Sequence, residues 1–168
     1  MRGSTKTKWI LAASTAVATL ALDLLSKRIV QGAMVLGQPG IPGDEIRLLP
    51  FLTLQRASNY GVAFGFLSGR YSVIVPAACL ALALVFVYMV LEPRPLVAGL
   101  AGGMLIGGSL GNLLERVVQG HVTDFLRLPH YPTFNLADIF IVVGVAVVAV
   151  SLLWGGTGSR AVEGAPNG

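Results

Sequence analysis

Four long apolar stretches separated by polar breaks dominate the chain, and their spacing predicts its elements. The run from Trp9 to Leu22 carries no charge, and Asp23-Leu24-Leu25-Ser26-Lys27 continues its helical pattern, so a first helix is expected over about 9–29. Three more runs follow at 73–91, 96–114 and 136–154. A helix of about 20 apolar residues spans a bilayer, so each run predicts a transmembrane helix. Glu92-Pro93-Arg94-Pro95 predicts a tight reversal between the second and third helices, because a residue before proline resists the helical region. Gly99, Gly103, Gly107 and Gly111 recur every fourth residue. Such a small-residue stripe lets a neighbouring helix approach closely.

Residues 31–70 break this pattern. Gly32, Gly37, Pro39, Gly40, Pro42 and Gly43 disfavour helix, and Asp44, Glu45 and Arg47 add polarity, which predicts an extramembrane insert. Within it Leu52-Thr53-Leu54-Gln55 alternates as a half-buried strand does, and Asn59-Tyr60-Gly61 offers a turn into Val62-Ala63-Phe64. A loop after the third helix is expected to carry Asp124, and the Gly-rich tail 155–168 reads as disordered. The fold class is therefore a single integral membrane domain, all-α with a small β insert.

Composition agrees: 54% of the 168 residues are hydrophobic, 12% are charged and the mean hydropathy is +0.75. Soluble domains carry about 25% charged residues. The net charge of +4 could suggest nucleic acid, but the basic residues are scattered, and anionic lipid headgroups are the expected counter-charge. Arg2, Lys6 and Lys8 ahead of the first run resemble the start of a secretory signal peptide. No small-residue cleavage site follows, so the first helix is read as uncleaved. Four spans put both termini on one side. The basic cluster before the first helix predicts a cytoplasmic side for them, although a bare count of Lys and Arg opposes it. The single cysteine, Cys79, is expected to be a buried structural thiol.

Candidate chemistry sits at one end of the helices. Asp23, Lys27, Glu115, Arg116, Asp124 and Asp138 all fall at helix ends or loops on one predicted face, and the midplane is free of charge. Asp124 and Asp138 stand beside hydrocarbon, where an ionised acid loses hydration. Asn135 and Asp138 could simply cap the fourth helix. Two acids brought together cannot both ionise freely, however, and become an acid and a base at once. Asp23 and Lys27, four residues apart, could be no more than a surface ion pair. Gly108, Asn112 and Arg116 share one helical stripe, and Arg116 could meet lipid phosphate or turn inward. Gly107-Gly108-Ser109-Leu110-Gly111 matches a nucleophile-elbow pattern, but such an elbow needs a strand-to-helix turn and Ser109 lies within a helical run. His121 and His130 are the only histidines and form no zinc motif, so neither metal nor cofactor is expected. A small transporter or channel using the acids as a cation relay, or a non-catalytic assembly subunit, remains open on this evidence.

Asp23-Leu-Leu-Ser26-Lys27, Asn59-Tyr-Gly61-Val-Ala63-Phe64, Gly107-Gly108-Ser-Leu-Gly111-Asn112-Leu-Leu-Glu115-Arg116, Val122-Thr-Asp124-Phe125 and Phe134-Asn135-Leu-Ala137-Asp138 together resemble bacterial lipoprotein signal peptidase, signal peptidase II. The resemblance implies an aspartyl peptidase of the bacterial inner membrane with four helices and a periplasmic β-rich segment, and the chain is expected to be a monomer. It implies cleavage of diacylglyceryl-modified prolipoproteins on the amino side of the lipidated cysteine, with membrane lipids around the substrate. Asp124 and Asp138 would be the catalytic pair. Asn59, Gly108, Asn112, Arg116, Asn135 and Ala137 would line or support the site, and Asp23 and Lys27 would support it. Glu115 departs from the family's usual Asp: the longer side chain keeps the charge but moves it. The 31–70 insert would form a mobile lid over the substrate.

Overall fold

The computed structural model describes residues 2–37, 43–61, 67 and 69–155. The expected tail from 156 onward, Val62-Ala63-Phe64 and part of the 31–70 insert lie outside the described residues. The element order is α1 (Arg2–Ala33), β1 (Glu45–Leu49), β2 (Leu52–Asn59), α2 (Tyr71–Leu91), α3 (Pro95–Gln119), β3 (Val122–Arg127) and α4 (Leu136–Gly155). All four helices are long and apolar enough to cross a membrane.

Three boundaries differ by four residues or more from the sequence reading. Helix α1 starts seven residues before Trp9 and runs to Ala33 rather than 29, and α3 runs to Gln119 rather than ending near 114. Apolar runs mark the part of a helix that lipid surrounds, whereas the backbone continues for as long as its hydrogen bonds do. Gly120 ends α3 in a left-handed turn (φ 74°), a region a glycine enters without Cβ strain, and its N–H donates to Arg116 O. Pro95 opens the same helix at its first turn, where its missing N–H costs nothing.

Helix α3 is the centre of the bundle: more than half of its apolar stretch is buried, against under a fifth for each of the others. The glycine stripe makes this possible. A Cβ on Gly99 would come within 2.7 Å of Leu11 Cβ, and one on Gly103 within 2.6 Å of Thr15 Cβ, so α1 lies directly on the stripe. On another side of α3, a Cβ on Gly108 would lie 2.7 Å from Ala137 O at the start of α4. Helix α2 packs on α3 through Met89, which fills the space beside Gly102 and is fully buried.

The segment expected to be a loop around Asp124 is instead strand β3, and this is a correction with a local cause. Val122-Thr-Asp-Phe-Leu-Arg is short, β-branched at its start and closed by the turn at Gly120, so it completes an antiparallel sheet in the order β1-β2-β3. Leu54 pairs with Ile46 and with Leu126, and Thr53 pairs with Arg47 and Arg127. Directly opposed residues share a face, so one face is apolar and the other polar. The apolar face packs through Leu52, Leu54 and Leu126 on Val30, Met34, Phe125, Phe134 and Leu136. That small core fixes the sheet to the ends of α1 and α4. Cys79 is a further correction: it is exposed on α2, not buried, because α2 touches the bundle along a narrow line and most of its surface faces outward.

Candidate active site

Asp124 and Asp138 meet where β3 passes the N-terminus of α4, and Asn135 joins them. Asn135 Nδ2 donates to Asp124 Oδ1 at 2.7 Å. Its backbone N–H donates to Asp138 Oδ2 at 3.1 Å, and Asp138 N donates back to Asn135 Oδ1 at 3.1 Å. The last two bonds form a reciprocal capping box, which satisfies two of the N–H groups that a helix start leaves open. The capping expected from sequence is therefore present, and the same asparagine also reaches the second acid. Asn59, the last residue of β2, donates through Nδ2 to the other Asp124 oxygen at 2.9 Å. Its Oδ1 accepts from Gly61 N at 2.9 Å, a local turn that sets the amide's direction.

Helix α3 supplies the opposite wall. Asn112 Nδ2 donates to Asp138 Oδ1 at 2.9 Å, while Asn112 Oδ1 accepts from Asn135 Nδ2 at 3.1 Å and from Lys27 Nζ at 2.8 Å. Gly108, one turn earlier, has no side chain to hold α4 away. Ala137 is fully buried, and its N–H donates to Asp23 Oδ1 at 2.9 Å. Asp23 and Lys27 are thus not a surface pair: they lie 2.7 Å apart at 0% and 1% exposure. Removing both charges from water is costly, and the geometry that compensates is the set of bonds each makes onward into the site.

Glu115 keeps short contacts despite its extra methylene. Its carboxylate accepts from Thr123 N at 2.8 Å, Thr123 Oγ1 at 2.9 Å and Gln31 Nε2 at 3.0 Å, and it pairs with Lys27 Nζ at 3.3 Å. Thr123 directly precedes Asp124, so Glu115 fixes the strand that carries it. Gln31, which also donates to Thr123 Oγ1 at 2.6 Å, is a site residue the sequence reading missed. Its signal was the stripe Asp23, Lys27, Gln31, spaced by four on one face of α1. Arg116 turns inward: one guanidinium nitrogen donates to Gly61 O at 2.8 Å, and its buried Nε has no partner among the described residues.

The electrostatics separate Asp124 from an ordinary carboxylate. Burial, reinforced by repulsion from Asp138, pushes Asp124 from its usual 3.8 up to about 7, against the opposing bonds from Asn59 and Asn135. Among the described residues no cation touches either acid directly, and each accepts only from neutral amides. A cavity of about 340 Å3 opens beside them. Its polar end is formed by Asn59, Asn112, Arg116 and Asp138, and its apolar walls by Ala78 of α2 and Ile141 and Val142 of α4. Ser109 also lines it but sits inside unbroken α3, so it lacks the turn a nucleophilic serine needs. His121 and His130 lie apart from the acids: His121 Nδ1 is 3.1 Å from Gln119 O, and His130 is exposed on the turn after β3. Two carboxyl groups tied through one asparagine, one of them lining a cavity with apolar walls, have the arrangement of an acid and a base that can activate water against a carbonyl.

A family model for signal peptidase (SPase) II matches residues 15–154. The chain is 38% identical over 144 residues to a lipoprotein signal peptidase of Serratia proteamaculans (strain 568), covering 80% of this chain and 81% of that protein. It is 34% identical over 154 residues to the lipoprotein signal peptidase of Yersinia pestis (strain Pestoides F), covering 86% of each. A bacterial membrane enzyme solved by the in meso method at 2.3 Å resolution superposes with a TM-score of 0.80 at 26% identity, covering 90% of this chain and 93% of that one. A second, solved at 1.9 Å, gives 0.74 at 28% identity, covering 84% and 92%.

Proposed function

The chain belongs to the signal peptidase II family, and from that premise we propose that it removes the signal peptide from diacylglyceryl-modified prolipoproteins, with Asp124 and Asp138 as the catalytic pair. The observation that carries this reading is Asn135, bonded to both carboxylates at once and so tying buried Asp124 to Asp138, which lines the cavity. The transporter reading has no support from these relatives.

In the proposed reaction Asp124 begins protonated, as its raised pKa favours, and Asp138 begins ionised, at a helix N-terminus that attracts negative charge. Asp138 takes a proton from water as the water oxygen bonds to the scissile carbonyl carbon. Asp124 donates its proton to the carbonyl oxygen. The tetrahedral intermediate then collapses, the C–N bond breaks, and the leaving amine takes the proton held by Asp138. Asp124 recovers its proton from the hydroxyl as the new carboxyl group forms. The bond cut lies on the amino side of the lipidated cysteine. The acyl chains and the apolar part of the signal peptide lie against Ala78, Ile141 and Val142, where binding scales with buried apolar area.

The protein is a multi-pass bacterial membrane protein. In the proposed orientation the termini are cytoplasmic, the sheet and site face the periplasm, and one chain is sufficient, because both acids come from it. The test is purified protein in micelles with a diacylated lipobox peptide. Cleavage on the amino side of the modified cysteine is expected, and absence of cleavage, or wild-type rates for Asp124→Asn and Asp138→Asn, overturns the reading.

A further inference from the structure

At the end of the bundle remote from the acids, a second polar cluster, with Glu92 and Ser151 buried and Arg94 half-exposed, joins α2 to α4. Arg94 donates to Glu92 Oε1 through Nε at 2.7 Å and to Glu92 Oε2 through a terminal nitrogen at 3.0 Å. The same nitrogen donates to Ser151 O on α4 at 2.9 Å. Tyr88 Oη, on the last turn of α2, lies 3.3 Å from Ser151 Oγ. Lys8 of α1 donates to Met89 O and Glu92 O, both at 2.8 Å, where a cation offsets the negative end of α2. Glu92 and Ser151 are each only 5% exposed.

The position of this cluster is informative. Elsewhere α2 and α4 pack on α3 rather than on each other. Near the acids they form opposite walls of the cavity, through Ala78 on one side and Ile141 on the other. Ten residues separate Ala78 from Tyr88, and ten separate Ile141 from Ser151, so the cluster stands about 15 Å further along both helices than the cavity walls. Helices α2 and α4 thus flank the cavity at the acids and are bonded to each other at the far end. From Asp138 to Ser151 is 13 residues of unbroken helix, about 20 Å.

We propose that Tyr88, Glu92, Arg94 and Ser151 form a floor to the α2–α4 groove that sets the length of the apolar segment accepted ahead of the scissile bond. The inference rests on the proposed peptidase reading. A helical apolar segment of about 13 residues reaches from the acids to the floor, inside the roughly 7–15 residues of signal-peptide apolar regions. Four more residues add about 6 Å and drive apolar side chains against buried Glu92 and its half-exposed partner Arg94, which desolvates the pair without replacing its bonds.

The experiment measures kcat/KM for diacylated lipobox peptides whose apolar segments are about 9, 13 and 17 residues long. For the wild type, the 17-residue peptide is expected to be cut about tenfold less efficiently than the 13-residue one. In Arg94→Ala, and in Tyr88→Phe with Ser151→Ala, that ratio should approach one. A variant that merely loosens the fold lowers all three values together, so an unchanged ratio in these variants overturns the floor. A photo-crosslinker at the amino end of the 13-residue segment gives a second reading in the wild type, where no variant has to fold. Labelling of Tyr88, Arg94 or Ser151 supports the floor, and labelling confined to other residues overturns it. If wild-type protein cuts no peptide of any length, the peptidase reading fails, whereas cleavage indifferent to length refutes only the floor.

Discussion

Buried carboxylates stand at both ends of the helices, and their partners differ. At the far end, the cation Arg94 grips both oxygens of Glu92, and its bonds hold that carboxyl below its usual 4.5. At the near end Asp124 accepts, among the described residues, only from the amides of Asn59 and Asn135, and burial beside Asp138 lifts it to about 7. Lys27, the nearest cation of α1, is spent on Asp23, Glu115 and the oxygen of Asn112. A carboxylate saturated by a cation is fixed in one charge state and serves as a fastening. One held by neutral donors keeps both states within reach near pH 7, which proton transfer requires.

The strongest way to break this contrast is to remove the acids. Asp124→Asn and Asp138→Asn should each lower kcat/KM for a diacylated lipobox peptide by about 10³-fold or more, with the helical circular dichroism retained. If either keeps near-wild-type cleavage, the two ends do not differ in the way described. Next comes the cation that is kept away from them. Lys27→Met strands Asp23 and Glu115 in a buried setting and should cost about 3–5 kcal/mol in denaturant unfolding in micelles. Gly108→Ala tests the close approach of α3 and α4: a methyl 2.7 Å from Ala137 O should destabilise by about 1–3 kcal/mol and displace the start of α4, lowering kcat.

A gentler test uses pH. Asp124 is raised in the fold, so between its usual 3.8 and about 7 the folded chain holds a proton that the unfolded chain has released. Its contribution to stability is therefore greatest at the acid end of that window and is lost as pH rises through about 7. Glu92 has the opposite sign: its contribution is present above 4.5 and is lost as pH falls through its lowered value. Unfolding measured from pH 4.5 to 8 should show a downward slope that Asp124→Asn flattens. Cleavage, which needs Asp124 protonated, should decline above pH 7. The smallest effect belongs to the far end: Ser151→Ala should cost about 1 kcal/mol, as one modest hydrogen bond does.

Much of this was legible in the chain. The four spans follow from unbroken apolar runs, and the glycine stripe at 99, 103, 107 and 111 announced a close helix contact, though not that α1 makes it. The clustering of the acids at one end also followed from where charges interrupt those runs. Two kinds of feature did not. Strand β3 depends on pairing with β2, some 65 residues away, and six residues carry too little local pattern to reveal that. The burial of Asp23 and Lys27 was hidden because an i,i+4 pair looks the same on a wet helix and in a core; only the packing of α3 decides. Cys79 was misread for a related reason, since an apolar sequence cannot distinguish a protein interior from a lipid-facing surface.

That misreading has a practical return. The chain's one thiol sits on the outer surface of α2, directly beside Ala78, whose side chain borders the cavity. A bilayer-soluble maleimide carrying a fluorophore or nitroxide would therefore tag the unmutated enzyme at a single known place. Its signal would report in real time whether that wall shifts when a lipidated peptide arrives.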